Sequence, residues 1–184
     1  MIFRGVATAL ITPFNNDKID DKAFDRLLEY QLASGVDAVV VLGTTGEPAT
    51  MSQEEKAQVI TLAVNKLKGK IPVIVGAGSN STAAAIKSCV LAEKLGADGL
   101  LVVTPYYNKC TQTGLACHYS AIAAATSLPI ICYNVPSRTG VNMLPSTFSE
   151  LADIPNIVAV KEASGNMEQI TEYIRLCGDR AAVY

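Results

Sequence analysis

The sequence predicts the α/β class and, within it, a (β/α)8 TIM barrel present only as about its first six to seven β/α units. Short apolar strand candidates alternate with helical patterns at a repeat of roughly 30 residues, the size of a β-α-β unit. Turns from strand to helix are dense in hydroxyls, amides and glycine, whereas turns from helix to strand are plain. The phosphate-binding fingerprints also fail: Gly76-Ala77-Gly78 meets Ser81 where a third glycine belongs, and no G-x-x-x-x-G-K-[ST] occurs. Both barrels and open doubly wound sheets place their sites at the carboxyl ends of strands, but chemistry spread over several successive ends favours the barrel.

The elements follow in order. Residues 5–11 are a short apolar run, read as a first strand because no convincing small-residue cleavage site follows it. Further strands are expected over 38–42, 72–75, 99–103, 130–133 and 157–161, with a last one beginning at Ala181. Helical patterns cover 23–33, 53–67, 82–95 and 115–125. Gly35, Gly69 and Gly96 suit the left-handed residue that stops a helix, and Pro72 and Pro129 keep it stopped. The loaded turns are Gly43-Thr44-Thr45-Gly46-Glu47, Gly76-Ala77-Gly78-Ser79-Asn80, Thr104-Pro105-Tyr106-Tyr107-Asn108 and Tyr133-Asn134-Val135-Pro136-Ser137-Arg138-Thr139-Gly140.

Residues 1–184 are read as a single, partial barrel domain. Eight repeats need about 250 residues, and a seventh strand is only beginning at the end of this sequence. Six or seven parallel strands leave unpaired edges, so the expectation is a fragment or a chain completed by another segment. The composition is 49% hydrophobic with a net charge of −2, and neither a Lys/Arg stripe for nucleic acid nor an apolar run long enough for a membrane is present. Five cysteines, an odd number without a C-x-x-C pair, fit reduced thiols in the cytoplasm. One histidine, His118, without a cysteine cluster argues against a zinc site or a Ser-His-Asp triad.

The strand Ile157-Val158-Ala159-Val160-Lys161-Glu162 is nearly all apolar until it ends in a lysine. Alternation puts Lys161 on the face of Ile157 and Ala159, and Glu162 on the other face with Val158 and Val160. An ammonium desolvated there has its pKa lowered, and a neutral amine attacks a carbonyl to form a Schiff base. The ordinary alternative is a lysine at an exposed strand end, extended into solvent.

Five motifs then come together. Ile11-Thr12-Pro13-Phe14, Gly43-Thr44-Thr45-Gly46-Glu47, Thr104-Pro105-Tyr106-Tyr107, Tyr133-Asn134-Val135-Pro136-Ser137-Arg138-Thr139-Gly140 and Val160-Lys161-Glu162-Ala163 resemble, in order and spacing, the pyruvate-dependent Schiff-base lyases of the dihydrodipicolinate synthase and N-acetylneuraminate lyase family. The resemblance runs over the whole chain. Thr44-Thr45 and the arginine of Ser-Arg-Thr-Gly resemble the first branch, while the sialic-acid branch more often shows Ser-Thr and lacks that arginine.

The resemblance implies a role for each matched residue. Lys161 attacks the ketone of pyruvate, and the protonated imine loses a methyl proton to give an enamine. Tyr133 is the general acid and base, with Thr44 and Tyr107 as its proton relay, Tyr107 being lent by a neighbouring subunit. Thr45 and its turn hold the pyruvate carboxylate; the ordinary reading of Thr45 is a helix N-cap, which Ser52 serves better. Tyr107 is otherwise a surface aromatic. Arg138 grips the carboxylate of L-aspartate 4-semialdehyde with its planar fork, or else is a solvent-facing loop arginine. The implied activity is an aldolase-type condensation in lysine and diaminopimelate biosynthesis, without metal or organic cofactor, in a homodimer or homotetramer.

Lysine inhibits many bacterial members at a site between subunits. Tyr106 and Asn80 match that site, but Ala84 and Lys56 replace an acid and a frequent histidine, so weak or absent lysine feedback is expected. Two other readings stand beside the first: another aldolase of the family acting on sialic acid or a keto-deoxy sugar acid, and a catalytically inactive partial barrel.

Overall fold

A computed structural model describes residues 2–184. In chain order it contains β1 (Ala7–Ala9), the hairpin β2 (Phe14–Asn15) and β3 (Lys18–Ile19), α1 (Asp21–Ala33), β4 (Ala38–Val41), α2 (Gln53–Leu67), β5 (Val73–Gly76), α3 (Thr82–Lys94) and β6 (Gly99–Val103). There follow α4 (Gln112–Ala123), β7 (Ile130–Asn134), α5 (Pro136–Thr139), α6 (Pro145–Leu151), β8 (Ile157–Glu162), α7 (Met167–Cys177) and β9 (Ala182–Val183). Two compact units are distinguished.

The first unit comprises Ile2–Gly76 and Leu91–Leu100. Its strands are parallel and pair in sequence order, β1 with β4 (Ala7↔Ala38) and β4 with β5 (Val39↔Val73). The start of β6 joins them through Asp98 N donating to Val73 O at 3.0 Å. All four residues of β4 are buried, as a strand covered on both faces must be. Phe24 and Leu28 of α1 and Val59, Ala63 and Leu67 of α2 are buried in the same unit. The strand expected over 5–11 is shorter, because Gly5 takes φ +114° and the Val6 N–H turns to the Asp37 carboxylate at 2.7 Å. The sequence reading did not include the β2–β3 hairpin; its two-residue turn is made by Asn16 and Asp17, both at positive φ, which suits a type I′ turn. Gly35, Gly69 and Gly96 have φ of 70, 75 and 89°, the left-handed values expected of helix stops.

The second unit comprises Ala77–Val90 and Leu101–Tyr184. Thr104 N donates to Tyr133 O at 3.0 Å where β6 meets β7. β7 pairs with β8, and β8 with β9, all parallel. The β7–β8 register steps once, from Ile130↔Ile157 to Ile131↔Ala159, leaving Val158 as an extra residue in β8. Fully buried Leu115, Tyr119, Ile122, Ile130, Phe148 and Tyr173 form the core. Its two tyrosines spend their hydroxyls on backbone carbonyls, Tyr119 on Val102 (2.9 Å) and Tyr173 on Met143 (2.6 Å), so neither donor is stranded. Helix α4 starts three residues before the expected 115–125 span because Thr111 caps it, accepting from Gly114 N. Among the described residues, no helix is long and apolar enough to cross a membrane.

Candidate active site

The β7–β8 register carries the central geometry. Tyr133 and Lys161 are direct partners across the two strands, and so share a face. Lys161 Nζ stands 4.3 Å from the centroid of the Tyr133 ring. Tyr133 is 8% exposed and Lys161 half-buried. Burial lowers the Lys161 amine below its ordinary value, because water no longer solvates the charged form fully. The negative face of the tyrosine ring favours the ammonium and opposes that lowering. The lysine at the strand end is therefore packed against an aromatic ring and not extended into solvent.

Arg138 lies in the turn that leaves β7. Pro136 opens the single-turn helix α5, and Gly140 closes it at φ +74°, its N–H donating to Pro136 O at 2.9 Å. Buried Thr139 is tied into the same turn through its hydroxyl, leaving Arg138 on the exposed side. The loop after β6 docks here: Tyr107 N donates to Thr139 O at 3.1 Å, while the Tyr107 side chain is 85% exposed and its φ is +79°. Positive φ costs a residue with a Cβ about 1 kcal/mol or more, so packing must hold Tyr107 in that conformation.

In the first unit, Thr44 and Thr45 open a 3-10 turn, Thr44–Gly46, directly after β4, and both side chains are exposed. Backbone strain shapes the turn. Leu42 before it and Glu47 after it both take left-handed φ values, 55 and 54°. Gly76 of β5 makes room: a Cβ there would stand 2.0 Å from Leu42 O. Thr12 Oγ1 donates to Gly46 O at 2.9 Å and so ties the Ile11-Thr12-Pro13-Phe14 motif to the turn. Helix α2 is capped by Ser52, whose side chain accepts from Glu55 N while Glu55 accepts from Ser52 N, so Thr45 is not its N-cap.

The sequence reading missed a second group in this region. On the face of β7 and β8 opposite Tyr133 and Lys161, Asn134 Nδ2 donates to Glu162 Oε2 (2.8 Å) and Asn142 Oδ1 (2.9 Å), and Gln169 Nε2 donates to Asn142 Oδ1 (3.0 Å). Asn134 and Glu162 stood inside the recognised motifs. Strand alternation had already set Glu162 apart from Lys161, but nothing in the spacing revealed its partners.

Comparison with known proteins adds a family. Residues 2–184 match the model of the "Dihydrodipicolinate synthetase family". The 4-hydroxy-tetrahydrodipicolinate synthase of Alkaliphilus oremlandii is 51% identical over 183 residues, 100% of this chain and 63% of that protein. The crystal structure of dihydrodipicolinate synthase from Thermotoga maritima is 50% identical at a TM-score of 0.95, covering 98% of this chain and 61% of that one. The chloride-inhibited dihydrodipicolinate synthase of Acinetobacter baumannii, solved with pyruvate, is 45% identical at a TM-score of 0.97, covering 100% of this chain and 63% of that one. The chain thus spans about 63% of the length of a curated relative it matches. The matched structures also show the fold class predicted from the connections, a (β/α)8 barrel present in part.

Proposed function

Since the chain belongs to the dihydrodipicolinate synthetase family, we propose that it acts as a 4-hydroxy-tetrahydrodipicolinate synthase, condensing pyruvate with L-aspartate 4-semialdehyde. The observation that carries this reading is Lys161, half-buried, its amine lowered by burial and its Nζ 4.3 Å from the Tyr133 ring centroid.

Lys161 attacks the pyruvate ketone, water leaves, and the protonated imine accepts the electron pair released when the methyl group loses a proton. Tyr133, its partner across the strands, moves that proton as general acid and base. Free phenol ionises near pH 10, so a relay is required, and the family motif assigns it to Thr44 and Tyr107. A strongly exposed Tyr107 ring on a strained, docked loop fits a residue offered to a neighbouring subunit. Thr45, exposed on a strained turn, is assigned the pyruvate carboxylate, and Arg138, exposed beside Gly140, the carboxylate of the aldehyde substrate. Arg138 favours this activity over the sugar-acid lyases of the family. The reading places the protein in a cytoplasmic lysine and diaminopimelate pathway, assembled as a homodimer or homotetramer.

Sodium borohydride reduction in the presence of pyruvate, followed by mass measurement, tests the proposal. A pyruvate-sized adduct on Lys161 is expected, together with turnover of aspartate semialdehyde exceeding that of sugar aldehydes. No adduct would leave an inactive partial barrel. Ala84 removes a charge-assisted partner for a lysine amino group at a cost of about 1.5–3 kcal/mol, so calorimetry should find weak lysine binding at best.

A further inference from the structure

We infer that Asn134, Asn142, Glu162 and Gln169 are positioning residues, a side-chain clamp on one face of β7 and β8 that holds Lys161 against Tyr133 on the other; the inference rests on the aldolase reading above.

The register gives the clamp its leverage. Asn134 pairs with Glu162 and Tyr133 with Lys161, so each catalytic partner is one residue from a clamp residue and points the opposite way. Slipping β8 by one residue would send Lys161 to the outer face and Glu162 to the inner one. The upstream pairing does not prevent this slip, because Val158 already interrupts the register. Contacts beyond the interruption must fix it, and the Asn134–Glu162 hydrogen bond of 2.8 Å lies at that end.

Every polar atom of Asn134, which is 0% exposed, is used. Its amide donates to Glu162 and Asn142, and its oxygen accepts from Met143 N at 2.9 Å. Glu162 Oε1 accepts from Ser164 N at 2.6 Å, which sets the chain direction just after Lys161. Asn142 and Gln169 bond to each other twice, at 2.8 and 3.0 Å, and so join α7 to the segment that follows α5. Asn142 O accepts in turn from Gln112 of α4 at 2.8 Å. One cluster thereby fixes β7, β8 and the start of α7 relative to each other. In this unit Tyr133 faces Lys161 on its own side, and across the strand Glu162 lies near Tyr173 of α7, which is also close to Cys132 of β7 and Cys177. Burial, with the Glu162 charge adding, pushes the Tyr173 phenol up.

The test compares the parent full chain with Asn134→Ala, Glu162→Ala, Glu162→Gln and Gln169→Ala. Competitive acetylation of lysines with acetic anhydride across pH, read by mass spectrometry, reports the basicity of Lys161 without pyruvate. A loosened Lys161 regains water, so its labelling midpoint should rise in the alanine variants by at least half a pH unit. Glu162→Gln keeps an acceptor for Ser164 N but places a second donor against Asn134, and should fall between. Pyruvate trapping per folded molecule should drop at least tenfold in Asn134→Ala and Glu162→Ala. Gln169→Ala removes three clamp bonds, two with Asn142 and one to Glu162, from a helix position outside the strands, so it carries the test if Asn134→Ala fails to fold. The clamp is overturned if the folded variants melt earlier yet keep the parental Lys161 midpoint and trapping rate. A parent that traps no pyruvate would refute the aldolase reading instead, and the labelling midpoints would still judge the clamp.

Discussion

The turn at Thr44–Gly46 and the carboxyl ends of β7 and β8 present the groups proposed to act in the site by opposite means. The turn is built from backbone: Leu42 and Glu47 at left-handed φ, and Gly76 yielding the space of a side chain. The ends of β7 and β8 are built from side chains, with a fully hydrogen-bonded amide and carboxylate on one face and a lysine against a tyrosine on the other. A backbone-built site tolerates no added atom at its contact point. A side-chain-built site tolerates small changes in volume but not a lost hydrogen-bond partner.

The sharpest way to test this division is to remove the amine. Lys161→Met should abolish the borohydride-trapped adduct and lower turnover by at least about a thousandfold, since the proposed reaction runs through an imine on this amine. The expected fold is retained, as checked by circular dichroism. Residual adduct at another lysine would move the chemistry away from β8.

Next in size is Gly76→Ala. Its Cβ would meet a backbone oxygen at 2.0 Å, an atom that cannot swing aside like a side-chain tip. Either Leu42 or β5 must shift, at a cost of about 3 kcal/mol, or roughly a 6–12 °C drop in melting temperature for a chain of this size. The pyruvate affinity should weaken with it if Thr45 holds the carboxylate. A variant that melts with the parent would show that the turn does not depend on this close approach.

Tyr173→Phe probes the other construction. It deletes a 2.6 Å bond and leaves the fully buried Met143 carbonyl unpaired, which costs about 1–3 kcal/mol. Chemical denaturation should show the loss as a lower midpoint at an unchanged slope.

The same contrast explains what the sequence disclosed. Strand positions were legible because β4, β6 and β7 are apolar on both faces, and α2 was placed at 53–67 by its helical pattern with Ser52 as a local N-cap signal; the structure adds the reciprocal Glu55 bond. Lys161 was legible as a charge ending an apolar strand, and alternation alone separated it from Glu162. The partners of Glu162 were not: Asn134 and Gln169 reach it from segments joined only by the fold, and amide side chains carry no periodicity. The strain at Leu42 was equally hidden, since a leucine gives no hint of positive φ, and the requirement is written 34 residues away at Gly76. The β2–β3 hairpin was missed because its two-residue strands are too short to show alternation.

The smallest expected effect concerns what Lys161 costs the fold. Its folded-state pKa lies below the ordinary 10.5 because burial disfavours the ammonium. At neutral pH the unfolded chain carries that charge at no cost and the folded chain carries it at a penalty. As pH rises through the window between the lowered folded value and 10.5, the folded state releases its proton first and stability recovers. Lys161→Met should therefore be more stable than the parent at pH 7, by on the order of 0.5–1 kcal/mol, because a half-exposed charge is largely screened. The advantage should shrink as pH rises through that window and be mostly gone by 10.5. Thermal melts of both chains at pH 7 and pH 10 decide it. If the methionine variant is instead the less stable at pH 7, the attraction between the ammonium and the Tyr133 ring exceeds the desolvation penalty, and the amine is held charged by the residue proposed to work with it.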